Sequence, residues 1–139
     1  EKFLQNLKGF PRLAGEALNI GIRKSLLLLE REAKIRTPVA TGVLRRGYRI
    51  IFSGGLRGQL INRVPYGVFV HEGTSPHEIL PLKKKALWWK GANHPVKRVF
   101  HPGTPANPFF DDAILATESD RLNIMKEEMD KALRKIAIK

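Results

Sequence analysis

Between residues 11 and 36, apolar and small side chains return every three or four positions: Leu13, Ala14, Ala17, Leu18, Gly21, Ile22, Ser25, Leu26, Leu29 and Ala33. That period marks one face of an α-helix, and Arg23, Lys24, Glu30, Arg31 and Lys34 largely fall outside it, on the side left to water. Leu27 and Leu28 widen the apolar face and predict contact with more than one neighbour. Thr37-Pro38 predicts the stop, because the proline ring disfavours helical geometry in the residue before it. The pattern then changes to alternation. Tyr48, Ile50 and Phe52 alternate with Arg49 and Ile51, Ser53-Gly54-Gly55 supplies a turn, and Leu56 to Val64 returns, which predicts a hairpin over 47–64. Pro65 ends the ladder by removing a donor, and Gly58 close to the turn predicts a mobile tip.

Periodicity assigns Tyr66 to Gly73 to neither helix nor strand. Ala86-Leu87-Trp88-Trp89 and Val96 to Phe100 flank the turn-rich Gly91 to Pro95 and predict a second hairpin over 86–100, with Ile79 to Leu82 as a short edge piece. A C-terminal helix is predicted at about 107–136. Asn107 suits its N-cap and Pro108 its first turn, Asp111 and Asp112 favour the positive end of its dipole, and Arg134 and Lys135 the negative end. Its apolar stripe reads Ile114, Leu115, Leu122, Met125, Met129, Leu133 and Ile136, with room for a break near Thr117 to Asp120. The sum is an α+β fold in a single domain over 1–139. A small, mostly antiparallel sheet of two hairpins packs with a long N-terminal helix and a C-terminal helix.

A chain of 139 residues buries enough surface to fold without a metal or a covalent staple. Having no cysteine, it has no disulfide, thiol nucleophile or thiolate ligand. No apolar run approaches the ~18 residues of a membrane span. Glu1-Lys2-Phe3 does not open like a signal peptide, so the reading is a soluble, intracellular protein without membrane contact; with no initiator Met, the chain leaves room for residues upstream. The net charge of +12 is uneven: +3 over residues 1–35, +10 over 36–101 and −1 over 102–139. That concentration predicts one basic surface, whose partner is either nucleic acid or an acidic neighbouring protein.

Two groups of cations stand out. Lys83, Lys84 and Lys85, with Lys90, Lys97 and Arg98, surround Trp88 and Trp89. Lysines neutralise phosphates and an exposed indole stacks on a base, so the group reads as a non-specific nucleic-acid surface. The other reading is a two-sided strand with one tryptophan buried, the other at a subunit contact, and lysines solvated or guarding an edge. Arg45, Arg46 and Arg49 suit forked pairing with carboxylates, which favours an acidic protein face over phosphate. His71-Glu72 and His77 do not have the His-Glu-x-x-His spacing of a metal helix, and Pro76 interrupts them. Glu72 is expected instead to accept hydrogen bonds from the backbone of Gly73 and Thr74, and His101 to bond backbone locally. No serine lies beside a recognisable base, and there is no phosphate-cradling glycine loop. The residues therefore predict no catalytic, cofactor or metal site.

Three phrases dense in Gly, Pro and Thr carry a further signal: Thr37-Pro38-Val39 leading to Thr41-Gly42-Val43-Leu44-Arg45; Tyr66 with Val70-His71-Glu72-Gly73-Thr74; and His101-Pro102-Gly103-Thr104-Pro105-Ala106-Asn107-Pro108-Phe109. Their order, with the long helix before them and the basic, tryptophan-containing stretch from Lys83 to Trp89 between them, resembles the tail-completion, or head–tail connector, proteins of lambda-like tailed bacteriophages over roughly residues 10–115. Where that family commonly has Asp before Thr-Gly, this chain has Ala40, which leaves Thr41 as the candidate cap. The resemblance implies a structural protein of the virion neck, made in the host cytoplasm and not an enzyme. It implies a hexameric or dodecameric ring of copies around the DNA channel, with portal-side connector or stopper proteins on one side and tail terminator or tail tube proteins on the other. Genome DNA would pass through without being read, and the motif loops at Thr41, Gly42, Glu72, Gly73, Thr74, His101, Pro102 and Gly103 would present backbone. The alternative from the residues alone is a basic nucleic-acid-binding or nuclease-like domain.

Overall fold

The first helix, α1, runs from Lys2 to Arg36 in a computed structural model that describes residues 2–137 and side chains from Leu7 onward. It begins upstream of the expected start because Pro11 interrupts less than a buried proline would. Pro11 withdraws one donor from the carbonyl of Leu7, and both residues are exposed, so water takes the donor's place. The stop falls where Thr37-Pro38 predicts it. Thr37 closes the last turn twice over, its backbone N–H reaching the Ala33 carbonyl at 2.9 Å and its hydroxyl the same oxygen at 2.6 Å.

The chain forms two compact units, one made of the sequence up to Val64 together with the segment from Phe109, the other of Pro65–Pro108. The fold is α+β, two long helices with two small antiparallel sheets of two strands each.

In the first unit, α4 (Phe109–Ala137) lies antiparallel along α1. Lys24 of α1 reaches Glu128 at 2.6 Å, and the Ser25 hydroxyl reaches the Arg121 carbonyl at 3.4 Å. The contact is built from small side chains. Ala17, Ala33, Ala113 and Ala132 are buried, and a Cβ on Gly21 would stand 2.6 Å from the Met125 sulfur. Small residues let two helix axes approach closely, and this changes which face of α4 is buried. Phe109, Ala113, Thr117, Glu128 and Ala132 face inward, while Leu115, Leu122 and Leu133 of the expected stripe stay exposed, Leu115 by 68% and Leu122 by 56%. Nor does the helix break at Thr117. That hydroxyl donates back to the Ala113 carbonyl at 2.8 Å, inside the helix, and the helix runs on without interruption.

Glu128 is buried yet charged, held between Lys24 and Lys131 at 2.6 and 2.7 Å. The hydrogen bond from Lys131, and then that from Lys24, keep its carboxyl below the ordinary glutamate value. The stability that results is present above that ordinary value and fades as pH falls through the lowered one.

Next come a short helix α2 (Val43–Arg46) and the expected hairpin, β1 (Tyr48–Gly54) and β2 (Arg57–Asn62), in register from Tyr48↔Asn62 to Phe52↔Gly58. The turn is Gly55-Leu56, since Gly54 still pairs with Arg57 across a register shift. Gly58 serves close approach more than tip freedom: a Cβ there would lie 2.5 Å from Leu26 of α1 and 3.0 Å from Ile22. Arg23 covers the ring of Phe52 at 4.1 Å. Asn62 fixes the hairpin's base, donating to the Leu44 carbonyl at 2.9 Å and accepting from the Val64 N–H at 3.0 Å.

The second unit contains α3 (Gly67–Glu72), β3 (His77–Ile79) and β4 (Val99–His101). Its pairing differs from the hairpin expected over 86–100. Leu87 and Val96 form an isolated bridge, and Val99–His101 pairs with His77–Ile79 instead. Away from the turn, extension of that bridge would set Lys85 opposite Arg98, a destabilising pair of like charges.

Tyr48 joins three elements of the first unit. It is 2% exposed, its hydroxyl lies 2.8 Å from that of Thr37, and its ring stacks on Phe110 of α4 at 6.3 Å. The single Thr37 proton goes to the Ala33 carbonyl, so the Tyr48 hydroxyl is the donor to Thr37. Burial pushes this phenol above the ordinary tyrosine value. The unfolded chain then ionises first, and stability present below about pH 10 is lost as pH rises beyond it. Tyr48→Phe is expected to lower stability by about 1 kcal/mol at neutral pH. It should also remove part of the alkaline loss seen in wild-type thermal melts. A variant with unchanged stability and an unchanged alkaline limb would contradict this role.

Candidate functional site

The second and third of the Gly-, Pro- and Thr-rich phrases meet in the unit Pro65–Pro108. Thr74 and Thr104 exchange both backbone hydrogen bonds, at 2.9 and 3.0 Å. The Asn107 N–H reaches the carbonyls of Val70 and His71 at 3.2 and 3.1 Å. Gly73 and Gly103 make this possible in two ways. Both have positive φ, 77° and 87°. A Cβ on Gly73 would also come within 2.5 Å of the Thr104 carbonyl oxygen, and one on Gly103 would run into that of Thr74. The two loops touch backbone to backbone because neither glycine carries a side chain.

Around this junction the sequence-predicted side chains have local duties. His101 accepts a hydrogen bond at Nδ1 from the Gly103 N–H at 3.0 Å, as expected of a residue opening a turn. On the facing strand, His77 stacks on His101 at 5.2 Å between ring centroids, and its Nδ1 donates to the Ser75 carbonyl at 2.9 Å. Glu72 does not cap the loop as expected, because the Thr74 N–H goes to the Thr104 carbonyl. Pro102, exposed, precedes Gly103 and shapes its turn. Among the described residues no group of three or more His, Asp or Glu side chains is placed to hold a metal ion.

The first phrase lies in the other unit. Gly42 adopts a left-handed conformation (φ 75°) at the start of α2, and no side chain caps that helix, so Thr41 does not take the capping role. Thr41 contributes its carbonyl, which accepts from Arg46 at 3.5 Å. Arg49 donates to the carbonyls of Arg46 and Tyr48 at 2.9 and 2.6 Å. Arg45 is exposed. Of the three arginines, Arg45 is therefore the best placed to reach a partner.

Lys83, Lys84, Lys85, Lys90, Lys97 and Arg98 are all exposed, in the same unit as the docked loops. Arg98 reaches Glu78 at 3.5 Å; among the described residues no acidic group pairs with the five lysines. Trp88 and Trp89 are both exposed, so neither is the buried tryptophan that the strand reading expected. The sequence reading did not anticipate a groove of about 360 Å³ between α1 and α4, with Leu13, Ala17, Ile20 and Ala132 among the residues lining it. Its signal was present in the seven-residue spacing of Leu13 and Ile20. No helix among the described residues is long and apolar enough to cross a membrane.

No family model matches the chain, and no curated protein and no solved structure matches it.

Gly103→Ala tests the backbone junction. Positive φ costs an alanine roughly 1–2 kcal/mol, and the collision with the Thr74 carbonyl adds to that. Amide hydrogen exchange at Thr74 and Thr104 is expected to speed up by an order of magnitude or more, with α1 and α4 amides unchanged. Undisturbed exchange at both threonines would show that the glycine is not what lets the loops meet.

Proposed function

We propose that the chain is a structural subunit of a tailed-phage particle, acting at the neck where head joins tail and assembling as a ring around the DNA channel. One observation carries the reading most. In Pro65–Pro108 the only buried residue is Gly67, while Leu82 is 99% exposed and Trp88 and Phe100 are each 66% exposed. Large apolar side chains left in water on so small a unit mark a surface that a neighbour covers. The three ordered phrases support the same reading through their resemblance to tail-completion proteins, and the junction of two of them is made of backbone rather than reactive side chains. A subunit of this kind works by shape and contact.

Capsids assembled without the chain are expected to show an unfinished neck by electron microscopy, and the purified chain to form rings once the portal-side connector is added. Intact infectious particles lacking it would overturn the proposal.

A second reading has one observation of its own, the two exposed indoles beside five lysines without acidic partners. Such a surface suits non-specific nucleic-acid contact, with lysines on phosphates and indoles on bases. Filter binding across salt concentrations separates the two readings. Nucleic-acid binding requires measurable affinity at physiological salt, a steep fall as salt rises, and a shallower slope when Lys83, Lys84 and Lys85 are all replaced by alanine. Negligible affinity at physiological salt would remove it.

A further inference from the structure

The first unit carries two unlike features on opposite sides of α4. One is the groove between α1 and α4. Its floor is apolar and low, with Ala17 and Ala132 between Leu13 and Ile20. Small floor residues leave room for a third helix to lie close, and Ile20, 45% exposed, has no full cover. The groove's charge is lopsided. Glu128 is taken up by Lys24 and Lys131, and Glu16 has Arg12 at 3.9 Å. Arg134 and Lys135 line the same groove without an acidic partner among the described residues. The groove therefore presents an apolar floor under unanswered positive charge.

The other feature is a ridge on the N-terminal half of α4. Leu115 and Leu122, seven residues apart and both exposed, stand on the face turned away from the buried Ala113 and Thr117. Acids flank them at helical spacing: Asp112 three residues before Leu115, and Glu118 between the two leucines. Arg121 does not offset these acids, because its guanidinium is turned onto the Thr117 hydroxyl and the Ile114 carbonyl, each at 3.1 Å. Lys126 bounds the ridge at its C-terminal end. The ridge is apolar with acidic flanks, the complement of the groove in both respects.

We infer that the α1–α4 groove of one copy receives the Leu115–Leu122 ridge of a second copy. The contact is head-to-tail, since groove and ridge are different surfaces of the same chain, and such contacts propagate from copy to copy. The third helix that the groove lacks is supplied by the neighbour's α4, with Asp112 and Glu118 facing Arg134 and Lys135. The inference rests on the reading of the chain as an assembly subunit and names the surfaces through which its copies meet.

The test uses the full chain, which has no native cysteine. Ile20→Cys and Leu122→Cys are made as separate proteins, mixed at high concentration and treated with a short bis-maleimide. The mixture is expected to give a covalent dimer in severalfold excess over either protein alone, and over Ile20→Cys mixed with Leu56→Cys, whose thiol sits at the hairpin turn. Arg134→Glu with Lys135→Glu in the groove partner should reduce that excess. Asp112→Lys with Glu118→Lys in the ridge partner should restore it. Equal yields from all mixtures, or dimer from Ile20→Cys alone, would overturn the contact. Far-UV circular dichroism checks the helices of each variant, and if a charge variant is misfolded the cysteine mixture still decides. The two proposals fail separately. A finished neck without the chain removes the neck role but leaves a mixed dimer meaningful. An unfinished neck combined with no mixed dimer removes only the contact.

Discussion

One hydroxyl chain sets the geometry of the first unit. Thr37 leaves α1 with its side chain folded back on the Ala33 carbonyl, and its oxygen is then left to accept from Tyr48 at the start of β1. Eleven residues separate the two, so the bond fixes where the hairpin begins relative to the helix end. Phe110 closes the arrangement by stacking on the Tyr48 ring, which ties the start of α4 to the same point. A valine at 37 would fill the space but leave the tyrosine hydroxyl buried without an acceptor, a costly arrangement. The Thr-Pro phrase is thus more than a stop signal: its proline ends the helix, and its threonine positions the first strand of the hairpin.

That distinction shows what the sequence could and could not reveal. The end of α1 and the existence of the first hairpin were legible, because each rests on a local rule, a proline and an alternation; the register was not, since the turn falls at Gly55-Leu56 and not at Ser53-Gly54-Gly55. The buried face of α4 was not legible. Periodicity ranks large apolar residues as core and so selected Leu115, Leu122 and Leu133. The interface with α1 is instead set by how near the helices come, which favours Ala113, Thr117 and Ala132 opposite Ala17, Gly21 and Ala33. The burial of Glu128 was equally out of reach: Lys131 lies one turn away on the same helix, but its second partner, Lys24, comes from α1, 104 residues away. The strand at Val99–His101 was found but given the wrong partner: it pairs with His77–Ile79, and the like charges of Lys85 and Arg98 that disfavour the nearer pairing act across strands and not along them.

The motif loops were legible as loops, and their purpose needed the structure. Glycine at 73 and 103 reads in sequence as a turn. In space each removes a Cβ that would strike the other loop's backbone, so two segments about thirty residues apart exchange main-chain hydrogen bonds. A junction of that kind tolerates many side chains around it, and it holds the apolar residues of Pro65–Pro108 on a defined backbone although only Gly67 there is buried.

Charge adds a second constraint on assembly. Each copy carries +12, so copies repel at long range. At cellular ionic strength that repulsion is screened beyond roughly 8 Å, whereas groups that meet inside a groove lie closer than this and keep much of their attraction. Repulsion between whole subunits and attraction between groove and ridge therefore act at different distances. Under the proposed contact, free copies would stay dispersed, and copies held side by side by other neighbours would fall within range of the complementary faces. Under the proposed assembly that ordering keeps subunits apart until a site is ready, and it would arise from Asp112 and Glu118, which sit in the N-terminal half of α4 beside exposed leucines, while Arg134 and Lys135 lie near its C-terminal end.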